Sequence, residues 1–147
     1  MDTLEIDEIL DDVAGFLGAF AYDILPEKPS DDFSMVVNTS SSSSSGDHWV
    51  VLCRKKARLY FIDSYGRTLK SRYFPRDFVN KLTTYIGQEK FSCNEKWLQR
   101  LTSNTCGAYC VYFIRELSTK SFRSCLSVFT EDLKANDTIV SSYLRKL

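Results

Sequence analysis

The 147-residue sequence has only one histidine, His48, and no Cys-x-x-Cys pair. Structural zinc sites combine several cysteines and histidines at close spacing, so the five cysteines do not predict a metal site. Their odd number, without a secretion signal, favours free thiols over a disulfide framework. Cys53, Cys110 and Cys125 lie in apolar runs and are predicted to be small core residues.

The sequence also lacks any apolar run approaching the roughly 20 residues that cross a bilayer, so we expect no membrane partner. Its acidic first residues are the opposite of a signal or transit peptide, which predicts an intracellular protein that is not secreted. The net charge is zero but unevenly spread. Residues 1–32 carry ten acidic side chains and one basic one, and the remainder carries nine acidic and eighteen basic ones. We therefore expect an acidic N-terminal arm on a basic body.

Length and composition predict one globular domain over residues 1–147. Hydrophobic residues make up 44% of the chain and aromatic residues 14%, which is enough for a buried core. Six consecutive serines within residues 39–45 predict a low-complexity loop just before His48.

The chain contains some hydrophobic patterns with the helical period and others with the strand period, which is typical of an α+β fold. Strands are predicted at 33–38, 49–54, 57–63, 90–93 and 96–100. Helices are predicted from Asp2 to about Ala14 and at 75–86, 131–135 and 137–146, with a further helix starting at Cys106, whereas residues 16–25 are predicted to be a packed turn. The expected architecture is a twisted mixed sheet of about five strands, with the Cys106 helix packed against it and other helices flanking it.

Cys106 is predicted to open a buried helix. Apolar residues follow it with the helical period, at Cys110, Phe113, Ile114 and Leu117. The residues just before it can cap a helix with a side-chain oxygen, namely Ser103, Asn104 and Thr105. The N-terminus of a helix lowers the pKa of a thiol, and Gly107 leaves the neighbouring backbone open to a substrate. A cysteine nucleophile requires this setting.

A cysteine nucleophile also requires a base, and His48 is the only histidine. His48 begins one predicted strand and Asp63 ends the next, so a hairpin would bring both to one edge of the sheet. A carboxylate beside an imidazole orients the ring and stabilises its charged form. The residues therefore predict a triad of Cys106, His48 and Asp63.

These motifs resemble those of the adenovirus-type cysteine proteases (adenain). The resemblance rests on His48-Trp49, on Asp63-Ser-Tyr-Gly, and on Gln99 seven residues before Cys106-Gly107. The SUMO-specific proteases share the same core. The stretch from Phe16 to Pro26 resembles the N-terminal motif of proteases encoded by Polinton/Maverick elements and virophages. Adenain has a glutamate where Asp63 stands, so the carboxylate is retained.

The resemblance implies a papain-like or adenain-like cysteine endopeptidase. Its substrates would be structural precursor proteins of a virus or virus-like element, cut during capsid maturation with Gly favoured next to the cut. By resemblance, Gln99 supplies the oxyanion hole, and Trp49 packs near the imidazole beside a narrow cleft. The sequence itself requires no cofactor, although the family implies activation by a peptide or by DNA bound weakly to the basic body. We expect a monomer, located in the host nucleus or cytoplasm and in the virion.

Two other functions stay open. One is a protease of the same fold that deconjugates ubiquitin-like modifiers such as SUMO or ubiquitin. The other is a non-catalytic interaction module in which Cys106 is a core thiol. Basic residues that alternate with aromatic ones can also hold a nucleic-acid strand, but no nucleic-acid-binding motif is present. A solvated face is the favoured interpretation for these residues, which are Arg67, Lys70, Arg72 and Arg76.

Overall fold

A computed structural model describes all 147 residues. The strands are β1 (Phe16–Ala21), β2 (Phe33–Asn38), β3 (Trp49–Lys55), β4 (Arg58–Ile62) and β5 (Phe91–Cys93). The α-helices are α1 (Thr3–Leu10), α2 (Arg76–Ile86), α3 (Cys106–Leu117), α4 (Phe122–Leu126) and α5 (Leu133–Arg145), and a 3₁₀ helix spans Tyr22–Ile24. None of the helices combines the length and apolar character that crossing a membrane requires.

The five strands form one mixed sheet in the order β1-β2-β3-β4-β5. The inner pairs β2–β3 and β3–β4 are antiparallel, whereas the outer pairs β1–β2 and β4–β5 are parallel. The predicted α+β architecture with a mixed sheet of about five strands is confirmed.

A two-residue turn, Lys56-Ala57, joins β3 to β4. Its φ angles of 50° and 62° are both positive, as in the hairpin turns that match the twist of a sheet. Val51, near the start of β3, pairs with Ile62, the last residue of β4. The chain therefore leaves β4 at the same end of the hairpin at which it enters β3. The residues just before β3 and just after β4 therefore lie side by side.

Helices cover both faces of the sheet. The core on one face includes residues of α1, α3 and α5 together with Val36 and Val51. The core on the other face includes residues of α2 together with Met35 and Leu52. Neighbouring residues of a strand point to opposite faces, which explains why β2 and β3 are buried on both sides. In α3, 9 of 12 residues are buried, so it is the central helix that the sequence predicted.

Two strand predictions were wrong. Residues 16–21 form the edge strand β1 rather than part of a turn, and an irregular register between Phe16 and Ala19 accommodates Gly18, whose φ is 135°. The N–H groups of Leu98 and Gln99, predicted to lie in a strand, instead both donate to the carbonyl of Ser64, at 2.8 and 3.0 Å. This segment therefore lies against the turn after β4 and pairs with no strand.

The helix boundaries also differ from the prediction. The helix α1 ends at Leu10 rather than Ala14. The two predicted C-terminal helices are one continuous helix, α5. Asp132 caps its start by accepting a hydrogen bond from the N–H of Ala135. Asn136 lies inside this helix, where its buried amide donates to the carbonyls of Leu98 and Thr130. Asn136 thus ties α5 to the segment before Cys106.

Candidate active site

The β3–β4 hairpin brings His48 and Asp63 into contact. His48 immediately precedes β3, Asp63 immediately follows β4, and Nε2 of His48 lies 2.6 Å from Oδ1 of Asp63. Both residues are buried, with exposed fractions of 7% and 0%. The bond at Nε2 leaves Nδ1 as the ring nitrogen available to a nucleophile. The predicted proximity of these two residues is confirmed.

Hydrogen bonds fix both the backbone and the carboxylate of Asp63. Its backbone N–H donates to Oδ1 of Asn94 at 3.1 Å, and Nδ2 of Asn94 donates to its carbonyl at 2.7 Å. Its carboxylate also accepts hydrogen bonds from the N–H of Tyr65 and from Nε of Arg67. Burial raises the pKa of Asp63, but the bonds and charges of His48 and Arg67 outweigh burial and bring this pKa below its usual range. Asp63 is therefore ionised at neutral pH.

Cys106 is the first residue of α3, as predicted, but the predicted capping does not occur. No side chain caps this helix at Thr105. The Thr105 hydroxyl instead donates to Asp137 of α5 at 3.2 Å and lies 2.9 Å from the Ser103 hydroxyl. The free N–H groups of the first turn therefore have no side-chain cap, and they lie where an anion is stabilised.

Cys106 is the one cysteine whose pKa is lowered. Its burial raises the thiol pKa, but pairing with His48 and the backbone N–H groups of Trp49 and Gly107 reverse that effect. Burial raises the pKa of the other four thiols, to about 12 for Cys53 and about 11 for Cys93. Among the five thiols, the surroundings therefore favour the thiolate form only at Cys106.

The pKa of His48 changes in the complementary direction. Burial lowers the pKa of His48, but Asp63 and Cys106 favour the imidazolium and raise its pKa to about 9. A thiol with a lowered pKa beside an imidazole with a raised pKa favours a thiolate–imidazolium pair near neutral pH. Tyr65 covers the imidazole, with ring centroids 4.9 Å apart and an interplanar angle of 17°.

A cleft of about 450 Å³ opens in front of this pair, and His48, Trp49, Gln99, Cys106 and Gly107 all line it. These are the predicted site residues except Asp63, which is fully buried and contacts His48. The structure therefore brings the predicted site residues together at one place.

The fold provides a comparison with known structures. Over 95% of this chain, it superposes on the crystal structure of the ASFV pS273R protease with a TM-score of 0.61 and 16% sequence identity. The chain shares the fold of that protease. It spans 65% of the length of the pS273R chain.

A second structure, of the Se-Met form of the ASFV pS273R protease, superposes with a TM-score of 0.46 and 21% identity over 77% of this chain and 44% of that one. No protein-family model and no curated protein matches the sequence. At 16% identity, the likeness to the first of these structures shows the fold. The relation to adenain and to the Polinton proteases stays a prediction.

Gln99 is buried in the wall of the cleft, and both ends of its amide are occupied. Its Oε1 accepts from the Ser64 hydroxyl at 2.6 Å, and its Nε2 donates to the carbonyl and hydroxyl oxygens of Ser103, at 3.0 and 3.1 Å. Ser64 therefore fixes the side chain, while the donor that an oxyanion would need is directed at Ser103. The oxyanion role of Gln99 stays a prediction.

Met1 occupies part of the cleft. Its carbonyl accepts a hydrogen bond from the indole Nε1 of Trp49 at 3.0 Å. Its side chain lies over Gly107, where an added Cβ would be 3.1 Å from Cβ and Sδ of Met1. Gly107 adds no side chain beside Cys106, but the backbone there is not open to a substrate as predicted, because Met1 covers it.

Sequence reasoning missed the residues that support the site. The prediction of a solvated face was wrong for Arg67, whose guanidinium is turned toward Asp63. Asn94 was not singled out, and Tyr65 was named only as part of the Asp63-Ser-Tyr-Gly motif, without a role. Arg67 could have been found from its place four residues after Asp63 across a glycine turn, whereas the contact with Asn94 depends on the pairing of β4 with β5.

Proposed function

We propose that the protein is a cysteine endopeptidase. In this proposal Cys106 is the nucleophile, His48 is the general acid and base, Asp63 orients His48, and Gln99 helps to hold the oxyanion. The observation that carries the proposal is the buried bond of 2.6 Å between His48 and Asp63 beside a cysteine with a lowered thiol pKa. Such a nucleophile, base and orienting carboxylate at the wall of a cleft is the arrangement that acyl transfer requires.

The reaction would begin with attack of the Cys106 thiolate on the scissile carbonyl carbon. The new C–S bond moves an electron pair onto the carbonyl oxygen, which the backbone N–H of Cys106 stabilises. Gln99 joins this oxyanion hole when its Nε2 turns from Ser103 to the oxyanion. The tetrahedral intermediate collapses as the C–N bond breaks, and the His48 imidazolium donates its proton to the leaving amine.

Hydrolysis of the acyl-enzyme would use the same residues in reverse. Neutral His48 takes a proton from water, whose oxygen attacks the thioester carbonyl. The C–S bond then breaks, releasing a carboxylic acid and restoring the thiolate beside the imidazolium. Asp63 stays ionised throughout, because it accepts hydrogen bonds from both His48 and Arg67.

We further propose that the substrates are structural precursor proteins of a virus or virus-like element, cut next to glycine. The resemblance of the His48, Asp63, Gln99 and Cys106 motifs to adenain supports this substrate class. The preference for glycine next to the cut rests on the same resemblance.

The test is cleavage of a candidate precursor by wild-type protein and by Cys106→Ala, with Cys93→Ala as the matched control. Cys93 is also partly exposed, and its thiol pKa is raised rather than lowered. We expect cleavage by wild type and Cys93→Ala and none by Cys106→Ala. Cleavage of a SUMO or ubiquitin reporter in place of the precursor would replace the proposed substrate class, and cleavage by Cys106→Ala would overturn the mechanism.

A further inference from the structure

Besides His48, Arg67 is the second cation that contacts the carboxylate of Asp63. A glycine turn brings Arg67 to this position. Gly66 has φ 73°, and a Cβ added there would lie 2.7 Å from the carbonyl carbon of Lys96, so only glycine fits without a shift. The N–H of Gly66 donates to the Asp63 carbonyl at 2.8 Å. This turn returns the chain so that Arg67 reaches the Asp63 carboxylate.

The two carboxylate oxygens of Asp63 have separate cationic partners. Oδ1 lies 2.6 Å from Nε2 of His48, and Oδ2 accepts from Nε of Arg67 at 2.7 Å and from its backbone N–H at 3.2 Å. Asp63 is fully buried, so rotation of its carboxylate would leave an oxygen without its partner, which is costly away from water. Arg67 therefore fixes the rotation at which Oδ1 faces His48.

Aromatic rings hold the guanidinium in turn. Its central carbon lies 4.2 Å from the ring centroid of Phe74 and 5.1 Å from that of Tyr65, within the range of cation–π contacts. Tyr65 is also the ring that stacks on His48. The side chain of Arg67 is only 23% exposed, so Arg67 is not a freely solvated cation on the wall of the cleft.

We propose that Arg67 is a positioning residue for the Cys106–His48 pair. It holds Asp63 in the orientation and the ionised state that His48 requires. The inference rests on the proposed function and deepens it. Its rival is a direct contact between Arg67 and an acidic substrate, since Arg67 also lines the cleft.

Several titratable groups lie around Asp63. The charged ones are His48, Arg67 and Cys106, and the neutral ones are Tyr65, Cys93 and Cys110. Only His48 and Arg67 are cations in contact with the carboxylate. An adjacent arginine lowers a carboxyl pKa by about 1–3 units, so removal of Arg67 raises the pKa of Asp63. The acidic limb, which is the low-pH side of the pH–rate profile where the rate falls, then moves to higher pH for any reaction that needs ionised Asp63.

The experiment measures alkylation of Cys106 by iodoacetamide as a function of pH in wild type, Arg67→Gln and Arg67→Lys. Iodoacetamide is small and neutral, so its reaction reports the thiolate without substrate recognition. Arg76→Gln is the matched control, because Arg76 is an exposed arginine nearby in the sequence, at the start of α2. Peptide hydrolysis gives kcat and KM for the same variants, and thermal unfolding checks the fold.

For Arg67→Gln we expect the acidic limb to move up by about one pH unit, which is about a tenfold loss of rate on the limb, with a lower plateau and a lower kcat. Arg67→Lys keeps the charge but loses the planar fork, so its limb stays near that of wild type and its plateau falls. Arg76→Gln matches wild type.

A folded Arg67→Gln protein with the wild-type limb and plateau overturns the proposal, as does a raised KM with an unchanged pH profile. If Arg67→Gln does not fold, the test rests on Arg67→Lys. An alkylation rate for Cys106 in that variant that reaches the same plateau as in wild type overturns the proposal. Failure of the proposed function looks different, because wild-type Cys106 would then react no faster than the other thiols.

Discussion

Replacement of Asp63 by asparagine removes one negative charge and keeps the shape of the side chain. The pKa of His48 stands at about 9, against an ordinary value of 6.5, and Asp63 is the largest cause that raises it. The difference is about 2.5 pKa units, or about 3 kcal/mol of preference for the imidazolium. We expect Asp63→Asn to lower the pKa of His48 by about 2 units or more, since burial then acts with less opposition.

Nuclear magnetic resonance with ¹⁵N-labelled histidine measures this shift directly, because His48 is the only histidine and gives one set of imidazole signals. In wild type the ring should stay charged from acid pH to about pH 9. In Asp63→Asn it should lose its proton near or below neutrality, and kcat/KM should fall by about 10³–10⁴-fold because the imidazole loses its orientation.

Asp77→Asn, an exposed acid in α2, is the matched control and should leave the His48 titration unchanged. A pKa for His48 in Asp63→Asn within half a unit of the wild-type value would refute the reasoning. It would mean that the bond of 2.6 Å between the two side chains does not stabilise the imidazolium.

Three further predictions concern the surroundings of the site. Gln99→Ala should lower kcat by about 10²–10³-fold while alkylation of Cys106 by iodoacetamide keeps its rate, since an oxyanion donor acts only in the transition state. Met1→Ala, released from a removable tag, should lower the KM for a peptide substrate by up to about tenfold, because the substrate no longer has to displace the apolar side chain that lies over Gly107. Gly66→Ala should lower the free energy of unfolding in urea by about 1–3 kcal/mol, through its positive φ and close backbone contact.

The contact between His48 and Asp63 could be predicted from the sequence because both residues adjoin a single hairpin. A short hairpin fixes which residues face each other. The apolar run that follows His48 and the one that precedes Asp63 are therefore enough to predict this contact. The helix α3 was equally readable, since its apolar residues continue around the whole helix and require burial.

The rest of the site depends on contacts that no local pattern encodes. Asn94 reaches Asp63 only because β5 pairs in parallel with β4 after the intervening α2. Met1 reaches Gly107 across more than two thirds of the sequence. The edge strand β1 escaped prediction because Gly18 lies inside it and Gly15 lies just before it, and glycine usually weakens a strand.

The central claim is that Cys106 and His48 form a thiolate–imidazolium pair. The most direct test is alkylation at pH 6 to 7 with the modified cysteine located by mass spectrometry, comparing wild type with His48→Ala. The account predicts fast labelling confined to Cys106 in wild type and its collapse in His48→Ala, because His48 is what lowers the thiol pKa against burial. Slow labelling spread over Cys93 and Cys106, with the same rate in both proteins, would contradict it.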